Sequence, residues 1–283
     1  MSYPAGLHVT TRPSSAPGGV PVGGREGGPG GDGPGGGAGT VVFVHGSLDR
    51  GDSFRLAMRR LPEFATLAYD RRGYQGSRDG GIVDLGGHID DLLAIADAAR
   101  ADTGGPVVAI GHSLGGNVVL GAALASPRAF ASVGVFEPPL PWLGYRRQGA
   151  TPWPPLSDDP GDEAERFFKR MVGEGSWDRL TESGRATRRA DGPALVADLR
   201  NMRTERPPFD VTTLDVPAVF GRGGEQSAPH HRSTVEWLGA NVPGAVVYEI
   251  TNAQHGAHLS HPDHFAAMVR MVVERARGAD SAL

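Results

Sequence analysis

An α/β fold built on a doubly wound, mostly parallel sheet is what this sequence predicts, and three observations carry that expectation. Apolar runs of strand length alternate with stretches of helical periodicity from residue 40 to residue 276. Several runs, TVVFV and PVVAI among them, are apolar without interruption, as strands covered on both faces are. GHSLGG, at Gly111 to Gly116, is a Gly-x-Ser-x-Gly sequence placed between a strand and a helix, where it can make a tight, strained turn.

The elements follow in chain order. LHVTTR (Leu7 to Arg12) reads as an edge strand, and Pro13 to Gly39 is too rich in Gly and Pro to bury apolar surface, so it reads as a flexible segment. Thr40 to Val44 is a buried parallel strand, Ser53 to Leu61 a helix and Phe64 to Asp70 a strand. Leu85 to Arg100 repeats apolar residues at helical spacing, with Asp90 and Asp91 near its first turn, where the helix dipole favours negative charge. Pro106 to Ile110 is a strand, Asn117 to Ala125 the helix after Ser113, and Ala131 to Glu137 a further strand. Helical patterns then occupy Glu163 to Val172 and Pro193 to Met202. Val216 to Gly221 and Ala245 to Ile250 are strands, while Ser233 to Ala240 and Pro262 to Ala276 are helices. The expected organisation is residues 1–39 as edge strand plus flexible segment, 40–137 and 211–283 as two parts of one core, and 138–210 as a helical lid inserted after the sixth strand.

A net charge of -4 gives no electrostatic reason to expect nucleic acid or an anionic membrane as partner. The absence of cysteine removes disulfides, thiolate catalysis and Cys-based metal sites, and fits a cytoplasmic protein. No apolar run approaches the ~20 residues of a membrane helix, and the N-terminal MSYPAGLHVTTR lacks the form of a secretory signal. A small-molecule substrate is the expected partner, and oligomeric state is left open.

A serine hydroxyl becomes a nucleophile at neutral pH when a base takes its proton and a carboxylate orients that base. His255, directly after the last strand, is the candidate base for Ser113, because loops at the carboxyl ends of parallel strands share one rim. The backbone N–H groups of Leu114, opening a helix, and of Ser47, in the loop after the first buried strand, are the candidate oxyanion donors.

The pieces FVHGS (Phe43 to Ser47), YDRRGYQGS (Tyr69 to Ser77), GHSLGG and QHGAHLSHP (Gln254 to Pro262) occur in that order, each beside a strand. In this the chain resembles the α/β-hydrolase fold family, serine hydrolase type, and the block EPPLPWLG resembles actinobacterial members of it. The resemblance implies that Asp70 belongs to a structural turn. It also implies a triad acid after either of two strands. Glu137, pinned by Pro138 and Pro139, is favoured; Glu225, in GRGGEQSAP, is the alternative. His112, the variable position of the motif, and Trp142, in the expected lid, are candidate pocket residues. Trp153 and Trp177 either line a pocket or form the core of the lid.

The recurrence of His255, His258, His261 and His264 invites a zinc reading, but Pro262 divides the run and no carboxylate completes a ligand spacing, so no metal and no cofactor is expected. The expected activity is hydrolysis of a small ester, lactone or thioester through an acyl-enzyme on Ser113. Carbon–carbon bond hydrolysis or lyase chemistry with the same triad is the first alternative. A non-catalytic ligand-binding protein on the same scaffold is the second.

Overall fold

The computed structural model describes residues 3–15, 39–143, 153–204 and 206–280 of the chain. Most of the Gly/Pro-rich stretch expected to be flexible lies outside the described residues. The strands are β1 (Val9–Arg12), β2 (Thr40–Val44), β3 (Ala65–Tyr69), β4 (Val107–His112), β5 (Ser132–Phe136), β6 (Ala218–Gly223) and β7 (Val246–Ile250). They form one sheet in the order β1-β3-β2-β4-β5-β6-β7. β1 pairs with β3 antiparallel at one edge, and every other pairing is parallel.

The uninterrupted apolar runs are explained by what lies on each face. Val42 and Val44 point into one buried cluster, with Val107 and Ala109 of the neighbouring strand. Val41 and Phe43 point into the other, with Val108 and Ile110. A strand whose alternate residues meet two separate cores can spare no polar position. The first cluster is covered by α2 (Leu85–Thr103), α3 (Leu114–Ala125) and α8 (Pro229–Asn241), the second by α1 (Arg55–Arg59), α9 (Ala257–Ser260) and α10 (Pro262–Asp280). Local chemistry fixes the ends of α2: the Asp84 carboxylate accepts from the Gly87 N–H at 2.9 Å, and Gly104 closes the helix in the left-handed region at φ 65°.

Between β5 and β6 the described residues carry four helices: α4 (Pro160–Val172), α5 (Glu174–Asp178), α6 (Glu182–Ala190) and α7 (Gly192–Met202). Five strands of the chain precede this block, not the six of the sequence reading, because β1 is followed directly by β2 among the described residues. The expected patterns at Glu163 and Pro193 become α4 and α7, whereas α6, which has no buried residue, shows no apolar stripe to read. Ala164, Phe168, Trp177, Leu195 and Leu199 form a small core of their own, packed onto Leu48 and Leu114 at the rim of the sheet.

The register places that rim. Val44 is paired with Gly111, His112 with Phe136, and Phe136 with Gly221, so the loops leaving β2, β4, β5 and β6 emerge side by side. They emerge at the carboxyl ends of parallel strands, where this sheet class presents its ligand sites.

Candidate active site

Ser113 is the single residue between β4 and α3, held at φ 52° and ψ -128°. A non-glycine residue at positive φ is strained, and here a β-strand must turn into a helix without a loop. The Ser113 N–H donates to the Phe136 carbonyl at 2.9 Å, which pins the turn to β5. Gly115 makes the turn possible, because a β-carbon there would run into the Val44 carbonyl oxygen. Gly115→Ala should therefore destabilise the protein by about 1–3 kcal/mol, the cost of overpacking against rigid backbone. Urea unfolding of the two proteins measures it, and an unchanged midpoint would show that the β2–α3 approach is slack.

Across the rim, the His255 Nδ1 lies 2.8 Å from Glu137 Oε2. Glu137 follows β5 directly, is fully buried and has φ 48°. Its Oε1 accepts from the Gly223 N–H at 2.8 Å and from the Ser227 hydroxyl, and its own N–H donates to the Gly221 carbonyl at 2.9 Å. Burial pushes the Glu137 carboxyl up, but the bonds from His255, Ser227 and Gly223 outweigh it and leave the group below its ordinary value. Glu225, the alternative acid of the sequence reading, is exposed. Its loop serves Glu137 instead, through Gly223 and Ser227.

His255 sits in a shell of histidines. His231 stacks on His255 with ring centres 4.2 Å apart and planes at 8°. His112 places its Nε2 2.8 Å from the His255 carbonyl oxygen. A carbonyl only accepts, so His112 carries its proton on Nε2 and a lone pair on Nδ1. Burial, together with His258 and His255 nearby, drives the His112 pKa well below the usual histidine range, so the ring is neutral. His258 Nε2 lies 3.4 Å from Asp49 Oδ2. The histidine run of the sequence is thus divided: His255 and His258 enter different clusters, while His261 and His264 face each other. Two triplets, Asp49 with His112 and His258, and Glu137 with His231 and His255, bring potential ligand atoms within 4.8 Å of one another and have the donor types of a borderline-metal site.

Ser47 follows β2 and Leu114 opens α3, so both candidate oxyanion N–H groups stand at the rim. Gly46 presses on Ser113: a β-carbon there would stand 2.8 Å from Ser113 Cβ. The loop is clamped from beneath by Arg71, which is fully buried. Its Nε donates to the His45 carbonyl at 3.0 Å and its Nη2 to the Gly46 carbonyl at 3.3 Å. The same guanidinium forks onto Asp198 of α7 at 2.7 and 3.2 Å. Asp198 also accepts from the Tyr74 hydroxyl at 2.6 Å and from the Ser47 hydroxyl at 2.9 Å. Burial, then the charge of Arg71, lowers the His45 pKa to about 4, keeping that ring a neutral acceptor for the Arg71 N–H. Asp70 holds a turn, accepting from the Gly51 and Gly76 N–H groups at 2.8 and 3.1 Å. The Asp and Arg of DRRGYQGS are conspicuous in the sequence; Asp198, 127 positions from Arg71, is not.

Ser47, His112, Ser113 and His255 line one cavity of about 540 Å³, with Phe167, Phe168, Met171 and Val172 of α4 on its wall. Trp142 does not line it, contrary to the sequence expectation. It packs edge-on against Phe209 in the core beneath, because Leu140, Trp142 and Leu143 turn back toward the sheet. Trp177 belongs to the helical block's own core, and the half-exposed Trp153 lies under Arg203.

Comparison with known proteins then places the chain. The sequence model described as "Alpha/beta hydrolase family" matches residues 41–268. The chain is similar to Lipase LipV of Mycobacterium tuberculosis, 29% identical over 137 residues that cover 48% of this chain and 51% of the lipase. This chain's match thus spans about half that relative's length. It is also similar to a pimeloyl-[acyl-carrier protein] methyl ester esterase of Aromatoleum aromaticum, 26% identical over 208 residues, 64% of this chain and 80% of the esterase. Among solved structures, an alpha/beta hydrolase of Sphaerobacter thermophilus aligns with a TM-score of 0.65 and 24% identity over 97% of this chain and 98% of that one. Among the described residues no helix is long and apolar enough to cross a membrane.

Proposed function

The chain belongs to the alpha/beta hydrolase family, and from that premise we propose that it is a serine hydrolase cleaving a small ester, lactone or thioester through an acyl-enzyme on Ser113. The observation that carries this reading is the Glu137–His255 pair at 2.8 Å, opening on the cavity that also holds the strained Ser113. Glu137 fixes the proton of His255 on Nδ1, which leaves Nε2 with a lone pair to act as base. Ser113 Oγ attacks the carbonyl carbon as Nε2 takes its proton. The oxyanion collects between the N–H groups of Ser47 and Leu114. The proton then passes from Nε2 to the leaving alcohol or thiol. Water, deprotonated by the same nitrogen, releases the acid and restores Ser113. The block carrying α4–α7 serves as the lid, and its wall of Phe167, Phe168, Met171 and Val172 suits an apolar chain on the substrate.

The test is covalent labelling by a fluorophosphonate probe. The wild type should label rapidly and at Ser113, and Glu225→Gln should label at the same rate within a factor of about two, since removing an exposed acid alters little. Folded wild-type protein that does not label, or Glu225→Gln that slows as much as Glu137→Gln, would overturn the assignment.

A further inference from the structure

Arg188 stands in the last turn of α6 and faces the cavity that holds Ser113 and His255. It is half-buried, and it is treated unlike the arginines around it. Its neighbour Arg189 reaches Asp159, Asp162 and Glu165. Arg71, Arg72 and Arg78 each hold a carboxylate. Arg188 has no carboxylate oxygen within 4.0 Å among the described residues. Its Nη1 donates to the Leu48 carbonyl at 2.7 Å and its guanidinium lies 5.8 Å from the centre of the Phe168 ring. The facing charges are Arg50, Asp49 and Asp191. Asp49 sits beside His258 and Asp191 bonds Arg78 and Gln75, so both acids are engaged elsewhere. Burial, then Arg50, pulls the Arg188 pKa below the ordinary arginine value, which marks a cation whose charge the protein itself does not fully satisfy.

One contact fixes the side chain and leaves the Nε–Nη2 edge without a carboxylate among the described residues. That edge is the planar two-donor fork that matches a carboxylate. Leu48 follows Ser47 and is two positions from Gly46, which abuts Ser113. With successive Cα atoms ~3.8 Å apart, the guanidinium is within reach of a short chain whose other end lies at the nucleophile. We infer that Arg188 is an anion subsite, and that the preferred substrate carries a carboxylate at the end remote from the scissile bond, with an apolar chain between. This rests on the serine hydrolase reading and sharpens it to a substrate class.

The probes are the monoethyl esters of linear dicarboxylic acids from glutaric to suberic, against neutral ethyl esters of matched length. Binding is measured by calorimetry on Ser113→Ala, and kcat/KM on enzyme with Ser113 intact. The half-esters should bind and react about 10- to 100-fold better than their neutral partners, the worth of one charge-assisted pair. In Arg188→Gln that preference should vanish while neutral esters react as before within about threefold. Equal treatment of half-esters and neutral esters by the unsubstituted enzyme would overturn the subsite. So would equal losses on both in Arg188→Gln, which would make Arg188 a brace for the Leu48 loop. Tight, Arg188-dependent binding of half-esters without turnover would instead sink the hydrolase reading and leave the subsite standing.

Discussion

Ser113→Ala should abolish labelling and lower turnover of an activated ester by about 10⁶-fold, and Glu137→Gln should lower it by about 10⁴-fold. The second loss is the more informative. A Gln side chain keeps the volume of Glu137, and its amide oxygen can still accept from Gly223 and Ser227. Its NH2 then faces His255 Nδ1, where a carboxylate oxygen stood at 2.8 Å. An NH2 group only donates, so the imidazole must place its lone pair on Nδ1 and its proton on Nε2. A protonated Nε2 cannot take the proton of Ser113. The fold should survive, with the melting temperature moving by no more than roughly 5 °C. The acid limb of stability should also change. The Glu137 carboxyl lies below its ordinary value in the folded protein, so its contribution is present above the ordinary carboxylate range and is lost as pH falls through the lowered value. Glu137→Gln removes that slope. Stopped-flow labelling and thermal melts against pH measure both effects. A rate loss under tenfold would show that Glu137 does not orient the base.

The order of strands was legible because each apolar run is forced by two covered faces, as Val41 and Val42 show by entering opposite cores. Ser113 was legible because a strand-to-helix turn admits few sequences, and Gly115 is one of the residues the turn demands. His255 followed from topology, since it lies after the last strand on the shared rim. The carboxylate partner of His255 was harder. Glu137 and Glu225 both follow strands, and nothing local tells a buried acid at φ 48° from an exposed one. Trp142 was misplaced because an aromatic directly after a proline reads alike whether it turns outward or back to the core. Arg188 and Asp198 were invisible for a different reason. Their roles come from partners 127 to 140 positions away, on helices whose sequences show only local charge. Periodicity reports which face of an element is buried; it carries no information about which charge on one element meets which charge on another.

Asp198→Asn should be among the most destabilising single changes in this chain, at about 3–5 kcal/mol, because it leaves the Arg71 guanidinium fully buried with no counter-charge. Burial alone would push the Asp198 carboxyl up, but Arg71, His88 and their bonds hold it far below the carboxylate range. The pair therefore contributes its stability above the ordinary carboxylate range and loses it only at strongly acid pH. The same pair joins two parts of the protein. Asp198 belongs to α7 of the helical block, and Arg71 holds the His45 and Gly46 carbonyls directly beneath the loop that carries Ser47. Stability and positioning can be separated by removing both charges together. Arg71→Met with Asp198→Leu leaves neither charge of this pair buried without its partner, so urea unfolding should recover much of what Asp198→Asn lost. The carbonyls of His45 and Gly46 stay unheld, and the Ser47 hydroxyl loses its acceptor. The Ser47 N–H should then wander from the proposed oxyanion position, and the reaction rate should stay about 10²-fold down, as for loss of one such donor. Full recovery of rate in the double variant would show that the loop holds its shape without Arg71, and that the buried pair ties the helical block to the core and does nothing more.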